Sequence, residues 1–202
     1  MTVLNTIMAK TLTDFKKEVD SLIEKGEKKE IAIMQTLRKY IVDSEKILFE
    51  GDGYSDDWAK EAEKRGLQNV KTTPKALDAF VTKKSTDLFV GTGVYNEKEL
   101  HARHEILLED YVKKVQIEAR VIGDLATNHV LPAAIKYQNE LLANIKGLKD
   151  AGFGEDAYKA QLQNATKISE HINVISENVQ AMIEARKVAN KLTDSRQKAI
   201  DY

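Results

Sequence analysis

Residues 96–149, NEKELHARHEILLEDYVKKVQIEARVIGDLATNHVLPAAIKYQNELLANIKGLK, read as one helical pattern with a single proline, Pro132, deep inside it. Asn96 offers a side-chain oxygen to the unpaired amides of the first turn, and Glu99, three residues on, can reach back to complete a capping box. From there Leu108, Val112, Val115, Ala119, Ile122, Ala126, His129 and Ala133 alternate steps of four and three, the period of a coiled-coil-like seam. Leu107, Tyr111, Val121 and Leu125 add a second flank, which makes the apolar face wide enough for a helix in a bundle rather than a two-stranded zipper. Pro132 has no amide to donate to Asn128 and its ring crowds that carbonyl, so the helix is expected to bend there, with the pattern resuming at Tyr137, Leu141, Ile145 and Leu148. Unbroken, the run would reach about 80 Å at roughly 1.5 Å per residue, so part of it is expected to project from any compact body.

The other segments read as packing around this helix. Residues 2–25 place Leu4, Ile7 or Met8, Thr11, Phe15, Val19 and Leu22 on one face, with Gly26 as the stop. Residues 28–49 repeat the seam through Met34, Leu37, Ile41, Ser44 and Leu48, which predicts an antiparallel hairpin over 1–50. Residues 51–95 form a short-helix insert. There Ser55 caps a helix whose first turn is acidic and whose last is basic, Gly66 ends it, and Thr73 with Pro74 signals another start. A last long helix is expected from about Glu155, its seam running through Leu162, Ala165, Ile168, Ile172, Ile175, Val179 and Met182 and folding back on the region after Pro132. The fold class is therefore all-α: an antiparallel bundle of long helices with a kinked central helix and a short-helix insert, in which 96–202 hold the kinked helix and its C-terminal partner and the whole forms one structural unit. Apolar residues begin at Val3 and the chain stops at Tyr202 without a cap, so both ends read as trimmed.

Composition narrows the function. The chain has 202 residues, with 31 Lys+Arg against 32 Asp+Glu and a net charge of -1. No bulk field draws it to nucleic acid or to an anionic membrane. Cysteine is absent, which excludes disulfides, thiolate metal sites and a cysteine nucleophile. The apolar runs fall far short of the roughly 20 residues needed to span a bilayer, and residues 1–12 lack the basic lead of a signal peptide, so a cytoplasmic setting is expected.

Few residues suggest chemistry. His101, His104 and Glu105 lie on one helical face and could touch a single ion, although zinc sites recruit a third or fourth side chain from elsewhere. A solvated first turn is the simpler reading. His129 falls on the apolar seam, as a hydrogen-bonded core histidine would. The GDGYSDD stretch lacks the alternating acids of a calcium loop, and GTG has no phosphate-loop lysine after it. Asn164, Ala165 and Thr166 match a glycosylation sequon but fall mid-helix.

The insert and the start of the central helix carry a family resemblance. LFEGDGYSDDWAKEAEKRGLQNVKTTPKALDAF (48–80), GVYNEKELHARHEILLEDY (93–111), IEAR (117–120) and LPAAIKY (131–137) resemble the C-terminal helical region of type III glutamine synthetase. The likeness is densest over 48–137, and the opening MTVLNTIMAKTL resembles the point where that enzyme's catalytic domain passes into this region. One departure is HARHE (101–105), where an aromatic is expected near His104. The resemblance implies a large cytoplasmic enzyme that joins ammonia to glutamate with ATP and magnesium, assembled as stacked rings. It also implies that the partners of this stretch are the remainder of the same polypeptide and other subunits of a ring-shaped homo-oligomer. The family's metal-binding glutamates, nucleotide contacts and flap carboxylate lie upstream of Met1, so no catalytic, cofactor-binding or metal residue is carried onto this chain, which is expected to be inactive alone. Asn96, Glu99 and Pro132 are assigned structural roles. Two other readings of the residues remain: a free-standing helical interaction module, and a metal-dependent helical-bundle enzyme resting on His101 and His104.

Overall fold

The computed structural model describes residues 1–202. It is all-helical, with nine α-helices joined by short 3-10 and π turns, and it divides into two compact units, Met1–Leu107 and Leu108–Tyr202.

In the first unit, α1 (Thr2–Glu24) and α2 (Lys29–Asp43) form an antiparallel hairpin. Gly26 turns the chain with φ 98°, a conformation that side chains with a Cβ disfavour, and the Glu27 amide donates back to the Leu22 carbonyl at 3.1 Å. The rings of Phe15 and Tyr40 meet edge to face at 5.6 Å, Val19 and Ala32 are buried, and Lys39 donates to Glu18 at 2.9 Å. The second helix ends at Asp43, six residues short of the expected Phe49, and a 3-10 turn, Glu45–Ile47, follows. The cause lies further along the chain. Arg65 donates to the Leu48 carbonyl at 2.6 Å, and the Phe49 ring lies 4.6 Å from that of Trp58. Leu48 is therefore extended, with its carbonyl satisfied by a side chain instead of a helical amide.

The insert holds α3 (Asp56–Lys64), α4 (Thr73–Leu77), a 3-10 turn (Asp78–Val81) and α5 (Lys83–Gly91). Ser55 caps α3 by accepting from the Trp58 amide at 3.2 Å. The start of α4 is one residue earlier than expected: Thr72 is the N-cap, so Thr73 opens the helix and Pro74 follows it. Phe80, Phe89 and Tyr95 form a chain of rings at 5.6 and 5.4 Å, with the Arg103 guanidinium 4.5 Å over Tyr95.

Helix α6 (Glu97–Leu125) runs into a π turn (Ala126–Val130) and then α7 (Leu131–Asp150). The disturbance at Pro132 thus takes the form of one wide turn, in which the Leu131 amide donates to Ala126 five residues back. That turn changes the seam. A row of less exposed positions runs 108, 112, 115, 119, 123, 126, 131, 134, 138, 141, 145 and 148, with 111 and 116 beside it. Every step is three or four except one of five, from Ala126 to Leu131, which spans the π turn. The extra residue rotates everything beyond it. Tyr137 is consequently exposed and Gln138 takes the inward place; ahead of the turn two successive steps of four, 115 to 119 to 123, already set Gly123 inward and leave Ile122 exposed, and His129, within the turn, is exposed as well. His129 is therefore no core histidine.

In the second unit α7 pairs antiparallel with α8 (Lys159–Asn190) after a 3-10 turn (Glu155–Ala157). Gln138 donates to the Ala165 carbonyl at 3.0 Å and to Ser169, Asn144 donates to Gln161 at 2.6 Å, and Ile145 and Ala165 are buried. Gly123 of α6 faces α8 closely, for a Cβ there would lie 3.2 Å from the Met182 methyl. The last long helix starts at Lys159, four residues after the expected Glu155, and holds the whole expected seam, and a separate helix α9 (Ser195–Asp201) follows it. Asp194 caps α9 by accepting from the Gln197 amide at 2.6 Å.

Candidate functional site

At the first turns of α6 titratable side chains and aromatic rings meet a buried core. Asn96 and Glu99 close a reciprocal pair: the Asn96 amide donates to Glu99 Oε2 and the Glu99 amide to Asn96 Oδ1, each at 2.9 Å. This fixes the helix start and aims Leu100 and His104, one turn apart, at the interior, where they are 0% and 8% exposed. Phe89, 2% exposed, belongs to the same core.

The three candidate ligands separate. His101 and Glu105 are exposed, whereas His104 is buried rather than solvated. Its Nε2 has no hydrogen-bond partner and stands 3.9 Å from Asp78 Oδ1, beyond hydrogen-bonding reach. No group of three or more His, Asp or Glu side chains is placed to hold a metal ion. Asp78 lies on the 3-10 turn of the insert, and no spacing rule linked it to His104.

Elsewhere the polar groups serve helix ends and helix pairs. In GDGYSDD the Tyr54 amide donates to Asp52 Oδ1 at 2.9 Å and Ser55 Oγ to the Asp52 carbonyl at 2.7 Å, an Asx turn that leads into the cap of α3. The GTG segment ends α5: Thr92 Oγ1 donates to the Leu88 carbonyl at 2.7 Å, and the Val94 amide donates to the Phe89 carbonyl at 3.0 Å. Gln116 donates to Asn190 Oδ1 at 2.8 Å and to the Tyr202 hydroxyl at 2.9 Å, and Tyr202 donates to Asn190 at 2.7 Å. That three-way network ties α6, α8 and the end of α9 together, and no motif pointed to it. Shifted ionisation follows the same pattern. The hydrogen bond from Arg65 holds the Glu61 carboxyl below its ordinary range, while bonds to Glu18 and Asp110 raise Lys39 and Lys114. None of the three sits with a second catalytic type of group.

Capped helices paired through side-chain hydrogen bonds, with no strand among them, define an all-α helical module. The family model described as the glutamine synthetase C-terminal domain matches residues 32–149, and the chain belongs to that family. It is 43% identical over 206 residues to a glutamine synthetase of Bacteroides fragilis (strain YCH46), covering 100% of this chain and 28% of that protein. It is 30% identical over 184 residues to the type-3 glutamine synthetase of Dictyostelium discoideum, covering 90% of the chain and 25% of the relative. A glutamine synthetase of Butyrivibrio fibrisolvens is 31% identical over 134 residues, 64% of this chain and 19% of its own. The chain thus spans about a quarter of the length of the curated relatives it matches. No helix is long and apolar enough to cross a membrane.

Proposed function

We propose that this chain is the C-terminal helical region of a type III glutamine synthetase, a cytoplasmic ligase that makes glutamine from glutamate and ammonia at the expense of ATP, and that the region supports subunit assembly and carries no catalytic group. The observation that carries the reading is the family match over 32–149, which runs from α2 through the first turns of α6 to α7. The non-catalytic role is supported by where the polar groups go. Asn96 and Glu99, Ser55, Arg65, Asp194 and Gln116 are all engaged with helix ends or neighbouring helices. ATP and magnesium belong to the rest of such an enzyme.

The test places Ile145→Asp, a charge in the α7–α8 seam, in the full-length polypeptide that carries this sequence. Sedimentation should show a smaller assembled fraction, while glutamine formation per surviving assembled particle stays as in the wild type. Intact assemblies with reduced specific activity would contradict the reading.

A further inference from the structure

The apolar stripe of α1 is longer than the helix that covers it. Leu4, Met8, Leu12, Phe15, Val19 and Leu22 succeed one another by threes and fours on one face. In the second half α2 closes over the stripe, leaving Val19 7% exposed, whereas Leu4, Met8 and Leu12 stay 68%, 59% and 60% exposed. Val3 and Ile7 widen the bare face. Another side of the same half is occupied: Ala9, Thr13 and Lys17 share a cleft with Leu88, Gly91 and Thr92 of α5.

Two further features mark the bare half as made for enclosure by protein. Residues 1–13 contain one ionisable side chain, Lys10, which is paired with Asp14, while residues 14–24 contain Asp14, Lys16, Lys17, Glu18, Asp20 and Glu24. A helix face kept in water normally carries charge, and a helix poor in charge around its circumference is normally buried. Three of the four threonines of this half also make no demand on a partner. Thr6, Thr11 and Thr13 each donate to the carbonyl four residues back, at 2.8, 2.9 and 2.8 Å, which satisfies their hydroxyls within the helix.

We infer that the first half of α1 is a docking helix, seated in an apolar, uncharged groove on the remainder of the same polypeptide. The size of the face selects a tethered occupant over a second copy. Five apolar side chains are far fewer than the about 20–30 residues a side of a stable interface between separate proteins. A groove on the same chain needs no such area, because tethering already supplies a high effective concentration. The inference rests on the reading proposed above, under which roughly three-quarters of the polypeptide lies outside this chain.

The experiment uses the full-length polypeptide with Met8→Cys, labelled with a maleimide and read by mass spectrometry of the peptide around residue 8. Labelling of the native protein should be about 100-fold or more slower than in urea, as for a thiol reached only through local opening. A photo-crosslinker at Leu12 should join that residue to a segment of its own polypeptide outside residues 1–202. Native labelling as fast as in urea, or crosslinks that join two polypeptides, would overturn the inference. Ligase activity of the unsubstituted polypeptide is measured separately. Its absence would count against the proposed enzyme, while protection of residue 8 is read without reference to activity.

Discussion

Removing one residue from the π turn should cost little, whereas removing one from the α-helix beyond it should break the pairing of α7 with α8. The step of five from Ala126 to Leu131 is the place where the seam holds a surplus residue. Deleting Thr127 there, with Pro132→Ala to restore the amide that a continuous helix needs, converts the step to four and leaves Gln138, Leu141, Ile145 and Leu148 on their present face. The expected loss is under about 1 kcal/mol, most of it from the greater freedom of the unfolded chain once proline is gone. Deleting the exposed Lys136 instead rotates everything beyond it by about 100°. Ile145, 4% exposed, leaves the core, and Gln138 loses its bonds to Ala165 and Ser169. Those losses come to roughly 3 kcal/mol or more, a large share of the about 5–15 kcal/mol that holds a domain together. Urea denaturation followed by far-ultraviolet circular dichroism gives both midpoints. Equal losses in the two deletions would refute the idea that the π turn sets the register.

Other consequences follow from particular contacts. Gly123→Ala should be neutral or stabilising by up to about 1 kcal/mol, since the helix gains propensity and the Met182 methyl, at 3.2 Å, can yield; Gly123→Leu should lose about 1–3 kcal/mol through overpacking, and thermal melts of both variants decide it. His104→Leu removes a buried nitrogen without a partner and should raise the melting temperature by an amount equivalent to about 1–3 kcal/mol, while zinc should leave the melting temperature of the wild type and of a His101→Ala, His104→Ala double variant alike. A zinc-dependent rise lost in the double variant would restore the metal reading. The lowered Glu61 carboxyl contributes stability that is present above the ordinary glutamate range, about 4.3, and is lost as pH falls through the lowered value; the gap in midpoint between wild type and Glu61→Gln should therefore narrow on acidification, and a gap that widens would reverse the assignment.

Features settled within a turn or two were legible from the residues. Asn96 and Glu99 lie three apart and act on each other's amides, and Gly26 stops α1 where its pattern ends. The signal for α9 was also local, Asp194 three residues before Gln197, but seven residues are too few to show a period, and the helix was missed. What depended on distant partners was not legible. The early end of α2 follows from Arg65, 17 residues beyond Leu48. The burial of His104 follows from packing against the insert, whose Asp78 no spacing could nominate. At Pro132 the sequence showed that the helix must be disturbed, yet a proline does not say how many residues the disturbed turn holds. That number decides whether Tyr137 or Gln138 faces α8, and Gln138 could take the place because Ala165 and Ser169 satisfy its amide.

The central claim, that this chain is the non-catalytic helical region of an ATP-dependent glutamine-forming enzyme, is tested most directly by assaying glutamine formation from glutamate, ammonia and magnesium-ATP with the full-length polypeptide and with residues 1–202 alone. The account predicts turnover by the full-length polypeptide and none by the 202 residues. A full-length polypeptide that makes no glutamine, or turnover by the 202 residues themselves, would contradict it.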